Sequence, residues 1–335
     1  MTNWRVPVAV AASLVLTGIA VAYTVRAADE RRPTPGKATG AAFDLTAGRL
    51  VFRDMRPGRG RDAVAAVPLA RTRDGRTSAD LRCVRFYAAA GTGVCLNTAP
   101  GPVPRTYAAV LDRNLREVRR VALPGVPSRA RVSASGRMIS WTVFVQGDSY
   151  SDGSFSTRTG VLDTRTGRTV TSLEGIALTL DGRRHRSPDV NFWGVTFAAD
   201  DDLFYATVST GGRTYLVEGS FTRWTARTLR ENAECPSLSP DGRRLVFKKR
   251  VSRDPADPWR LYALDLRTLR ETPLAEPHSV DDQAAWLDAR TVMYARPRES
   301  GGSDVWAVPA DGSGPPRLLV PDAASPSALG RAKGF

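Results

Sequence analysis

The sequence predicts an all-β protein: a six-bladed β-propeller of four-stranded antiparallel blades, preceded by an N-terminal apolar helix. Three observations predict it. One hairpin unit recurs six times at nearly constant spacing, a second hairpin unit fills the intervals, and β-branched and aromatic residues fall in short runs without helical period.

The elements follow in chain order. From Val6 to Val25 run 20 uncharged residues between Arg5 and Arg26, long enough to cross a bilayer core and also the form of an export signal. Ala20-Val21-Ala22 supplies a small-residue cleavage motif. Residues 1–28 are therefore expected to be a signal peptide or membrane anchor, and residues 29–40, DERRPTPGKATG, a linker. Residues 41–322 are expected to form the propeller and 323–335 a flexible C-terminal tail. A basic start before an apolar run favours export, so the body is expected outside the cytoplasm, secreted or anchored.

The clearest copy of the first unit is CPSLSPDGRRLVFKKR, residues 235–250. Its turn is Pro240-Asp241-Gly242: Pro fixes φ, Asp bonds back to the backbone, and Gly accepts positive φ. The other copies lie at 43–54, 84–97, 130–144, 193–208 and 284–297. With turns centred on Gly48, Gly91, Gly136, Asp201, Gly242 and Ala289, successive spacings are 43, 45, 65, 41 and 47 residues. A propeller blade needs about 40–50. The long interval holds ALTLDGRRHRSPDVNFW (177–193), read as an additional hairpin before blade four. The second unit, as in RLYALDLRTLRETPL, is an apolar strand, a polar turn and a more polar return, as expected of the outer half of a blade. Roughly twenty-four strands exceed what a sandwich holds, and radial repetition accommodates them without long bare edges.

The formal net charge is +14, and all but four of the 48 cations are arginine. They are spread along the chain beside Asp and Gly in turns, which describes solvated faces rather than a stripe for nucleic acid. Cys83, Cys95 and Cys235 contain no C-x-x-C pair, so no zinc site is expected. A Cys83–Cys95 bridge is permitted in an exported protein. In a regular hairpin Cys95 would face Phe86, leaving Cys83 about 10 Å away along the strand, so joining them requires a bulge or a bent strand start.

The run LSPDGRRLVF (Leu238 to Phe247), followed by LYALDL (Leu261 to Leu266), resembles the repeat of TolB-like propellers, as does the closing DVWAVPADGSGPPRLL. The resemblance covers about residues 41–320 and implies the fold; the same repeat serves binding proteins, envelope proteins and peptidase propellers. The arginine- and alanine-rich composition points to a high-GC, actinobacterial source. The repeats begin directly after the linker, so the α/β domain of TolB itself is not expected.

Catalytic motifs such as G-x-S-x-G and H-E-x-x-H do not occur. His185 and His278 are read as solvated loop residues, and Asp200-Asp201-Asp202 as a polar turn. Propeller ligands meet the face where inner strands begin. Candidate binding positions there are Arg82, Arg129, Asn191, Trp193, Glu234 and Asp282, together with Asp148 and Tyr150 in the long loop 146–158. Loops 250–260 and 296–303 are also long. No catalytic residue, metal or cofactor is assigned. The expected function is a monomeric, non-enzymatic scaffold binding a protein, peptide or cell-wall glycan at the cell envelope; the alternative is an enzyme with a carboxylate-lined central pocket.

Overall fold

The computed structural model describes residues 43–101, 104–145 and 156–330. The apolar segment, the linker, Asp148, Tyr150 and residues 331–335 lie outside the described residues.

Twenty-six strands form six antiparallel blades among the described residues. Blade one contains β1 (Arg49–Asp54), β2 (Ala63–Pro68) and β3 (Thr77–Arg82). Blade two runs outward from β4 (Arg85–Ala89) through β5 (Thr92–Ala99) and β6 (Arg105–Leu111) to β7 (Glu117–Leu123). Blade three follows with β8 (Val126–Val132), β9 (Met138–Val145), β10 (Ser156–Asp163) and β11 (Thr169–Val170). The additional hairpin is β12 (Ala177–Leu180) and β13 (Arg183–His185). Blade four is β14 (Asn191–Phe197), β15 (Leu203–Thr210), β16 (Arg213–Ser220) and β17 (Thr225–Glu231); the additional hairpin joins its outer edge, β12 pairing parallel to β17.

Blade five is β18 (Glu234–Leu238), β19 (Arg244–Arg250), β20 (Trp259–Asp265) and β21 (Glu271–Pro273). Blade six is β22 (Ala285–Trp286), β23 (Thr291–Pro297), β24 (Ser303–Pro309) and β25 (Arg317–Val320). The chain then returns. Its last strand, β26 (Ala323–Leu329), pairs antiparallel with β1 and supplies the innermost strand of blade one.

This return corrects two expectations. Residues 323–329 are not part of a flexible tail: Ala323 is fully buried and Leu329 is 5 % exposed. Residues 43–54 are not the inner hairpin of blade one, because β1 is its second strand.

Period-two alternation builds the core. On β1, Leu50 and Phe52 pack towards blade six while Val51 packs towards blade two. On β19, Leu245 and Phe247 face blade four and Val246 faces blade six. Blades two and three meet through Leu96, Val110, Ile139 and Trp141, and blades three and four through Met138, Val161, Phe192 and Phe204. Every blade is thus apolar on both faces.

The turns use recurrent chemistry. Ser133 and Ser239 each accept, at the hydroxyl, the N–H of the residue five positions on. Asp112, Asp163 and Asp265 each cap the turn between the third and fourth strands of their blades by accepting backbone N–H groups.

Two blades contain an aromatic residue directly opposite a glycine, Trp141 with Gly160 and Phe204 with Gly219. A Cβ on Gly219 would lie 2.3 Å from the Phe204 ring. Gly219→Ala is therefore expected to destabilise the fold by about 1–3 kcal/mol in urea unfolding, and adding Phe204→Leu should recover part of that loss.

Candidate functional site

Strands β4, β8, β14, β18, β22 and β26 are innermost, and charged side chains on or beside β4, β8, β18 and β22 meet one another. Lys248 continues the Val246 side of β19, and its cross-strand partner is Glu234 at the start of β18. Lys248 Nζ lies 3.7 Å from Glu234 Oε2 and 2.5 Å from Asp281 Oδ1, in the segment entering β22. The ammonium also stands 4.1 Å from the centre of the Trp259 ring, whose other near cation is Arg250 at 4.2 Å. From blade three, Arg129 Nη2 reaches within 3.4 Å of Asp281 Oδ1; from blade two, Arg85 Nη1 lies 3.8 Å from Asp282 Oδ1. Four blades thus contribute three cations and three carboxylates to one mouth.

The electrostatics separate these carboxylates. Partial desolvation by the surrounding protein opposes ionisation of Asp281, but Lys248, Arg129 and Arg85 outweigh it and hold its carboxyl below the usual range. Burial pushes Glu234 up, and the like charge of Asp281 adds to it against Lys248 and Arg250. Burial also acts to lower Lys248, yet its pKa is raised by the Cys235 sulfur, Glu234 and Asp281.

Below the mouth the axis is crossed by polar ties. Arg131 Nη2 donates to the Ala284 carbonyl at 2.9 Å, and its guanidinium lies 4.3 Å from the Tyr87 ring centre. Gln283 donates to the carbonyls of Val195 and Pro236, joining blades four, five and six.

The sequence candidates divide between mouth and framework. Arg129, Glu234 and Asp282 are brought together. Arg82 is not: it ends β3, the outermost strand of blade one, and donates to the Arg59 carbonyl. Arg85, three residues on, starts the inner strand instead. Asn191 is 8 % exposed and its side-chain oxygen accepts from Ser156 Oγ and the Thr157 N–H, fastening blade four to blade three. Trp193 is a buried residue of β14.

Lys248, Arg85 and Arg131 were not among the candidates. One signal was available: lysine is rare in this chain, and alternation along RLVFKKR must turn one of its two lysines towards the side of Val246.

Neither histidine is simply solvated. His185 Nε2 bonds Thr210 Oγ1 at 2.9 Å, and that hydroxyl donates to Asp189 at 2.8 Å. The exposed His278 ring is held by the buried Glu276 at 2.8 Å through Nδ1. Asp200 caps a turn, accepting the N–H groups of Asp202 and Leu203, with Asp201 at φ 60°.

Cys83 and Cys95 form a disulfide with Cα atoms 5.4 Å apart. The chain bends between β3 and β4, so Cys83 precedes the regular register in which Phe86 opposes Cys95. Cys235 is free and buried.

Six four-stranded units about one axis, with a polar mouth where the inner strands begin, define the class as a six-bladed β-propeller. No family model and no curated protein matches the chain. Among solved structures it is similar to TolB from Acinetobacter baumannii, with 15% identity, a TM-score of 0.54, and coverage of 84% of this chain and 66% of that one. It is also similar to a chain of a Nidogen/Laminin complex, at 13% identity and TM-score 0.55, covering 85% of this chain and 99% of that one. A Mycobacterium tuberculosis puromycin-hydrolyzing peptidase matches at 16% identity and TM-score 0.50, over 82% of this chain and 44% of the peptidase. These likenesses show the fold alone. The chain spans less than two thirds of the TolB chain and under half of the peptidase.

The raised pKa of Glu234 sets a pH-dependent expectation. Above the ordinary carboxylate range the unfolded side chain is ionised, while burial penalises the ionised form in the fold. Glu234→Gln should therefore stabilise the protein at pH 7.5, with the gain vanishing near pH 4, as read from urea unfolding at both pH values.

Proposed function

We propose that the chain is an extracytoplasmic, non-enzymatic TolB-like binding propeller that holds a protein or peptide segment across the channel mouth. One observation carries this reading: Arg85, Arg129 and Lys248 converge there with Glu234, Asp281 and Asp282 from four blades. Charges of both signs, fixed in place before binding, suit a polar chain of mixed charge and disfavour partners with the wrong pattern. The buried Trp259 packs against Lys248 and Arg250, and the Asp281 side chain, 66% exposed, is the part of the cluster open to a partner. The Cys83–Cys95 bridge supports an oxidising compartment, in keeping with the N-terminal apolar run.

Affinity capture from cell-envelope extract, followed by mass spectrometry, tests the reading. The double variant Arg250→Glu/Asp281→Asn is expected to stay folded by circular dichroism, with a melting temperature lowered because Lys248 and Arg129 lose their nearest carboxylate, and to lose more than tenfold of the captured partner. Undiminished capture would place binding elsewhere.

A specific observation favours a second reading, an enzyme. Burial pushes Glu234 up while Lys248 and the arginines hold Asp281 down, the separation of proton affinities that acid–base pairs use. Turnover of an oligosaccharide or peptide panel, abolished by Glu234→Gln, would support the enzyme; turnover unchanged in that variant would remove the mouth from the chemistry.

A further inference from the structure

We propose that the channel beneath the mouth binds one halide ion, held between Arg129 and Arg131. The two are alternate residues of β8, so they project from the same side of the strand about 7 Å apart. Both reach from blade three across the axis to blade six. Arg129 Nη2 meets Asp281 at 3.4 Å, and Arg131 Nη2 donates to the Ala284 carbonyl at 2.9 Å. The other groups around the Arg129 guanidinium are Ser128, the Cys235 sulfur and the Asp282 carboxylate.

Two needs are left unmet by the protein. Nε of Arg129 and Nε of Arg131 are buried without a hydrogen-bond acceptor. Arg131, only 4% exposed, also has no carboxylate partner among the described residues; its contacts are a carbonyl and the Tyr87 ring. A buried N–H without an acceptor is costly, and a buried charge without a counter-charge more so. Both arginines line a cavity of about 20 Å³, shared with Arg85, Asp282 and Gln283. That space has room for one water-sized occupant. A water would satisfy the N–H groups and leave the charge; a halide accepts from both Nε–H groups and neutralises the excess. The Gln283 amide donors are already engaged by two carbonyls, which leaves the arginines and the Ser128 and Ser325 hydroxyls as side-chain donors on the cavity wall.

Thermal unfolding of the full chain in sodium chloride against sodium gluconate, at matched ionic strength and pH, tests this. A ligand bound only by the folded state raises the melting temperature by mass action, so chloride should give a saturable rise of about 3 °C that gluconate does not. Arg131→Met should abolish the difference between the two salts. If that variant fails to fold, bromide-soaked crystals of the wild-type protein decide, with an anomalous peak expected in contact with both Nε atoms. Equal melting in the two salts, a chloride effect undiminished in Arg131→Met, or no bromide peak at that position would overturn the proposal.

Discussion

The pairing of β26 with β1 is the interaction on which the rest of the architecture depends. A blade that is apolar on both faces is stable only between two neighbours, and an open row of six would leave one such face bare at each end. Closure removes both. Leu50, Phe52, Ala65 and Val67 of blade one then pack with Met293, Val305 and Leu319 of blade six, on the same terms as every other pair of blades. The seam is reinforced where β1 ends. The fully buried Asp54 is held by Arg56 and Arg76, and Arg76 also donates to the backbone carbonyls of Pro321 and Asp322 just before β26. Arg298 of blade six ties to Asp322 and Asp304.

Closure also makes the mouth. Residues separated by about two hundred positions in sequence face each other only because the inner strands surround one axis. Arg85, Arg129 and Lys248 come from three blades, each fixed by its own ladder, and they meet Asp281 in the segment that enters β22 of a fourth, so the ring sets which charges face each other. The polar ties across the axis, from Arg131 to Ala284 and from Gln283 to Val195 and Pro236, join distant blades to one another. These ties hold the charged groups at the mouth in fixed positions.

The legibility of this structure in its sequence varied with the kind of signal. Turn chemistry was plain: the serine and Asp-Gly pattern of SPDGR and the Asp-capped LDTRTGR and LDLRTLR fixed the repeat and with it the number of blades. The closing strand was not. Its sequence AASPSAL is short of large apolar residues because an inner strand lies beside a polar channel, so period-two patterning gave little to detect and the segment looked like a tail. At the mouth, Arg129, Glu234 and Asp282 were found from their positions at strand starts. Arg85 was missed by three residues because the bend at Cys83 and Val84, which also permits the disulfide, ends one strand and begins the next in too little space to read.

Backbone hydrogen exchange tests ring closure most directly. If β26 is an integral inner strand, the amides of Ala324, Ser327 and Leu329 that pair with β1 exchange as slowly as those of β9, β15 and β19, because all open only with the whole ring. Fast exchange of β26 while the other blades stay protected would show that the strand frays independently, and would contradict closure as the interaction that holds the propeller together.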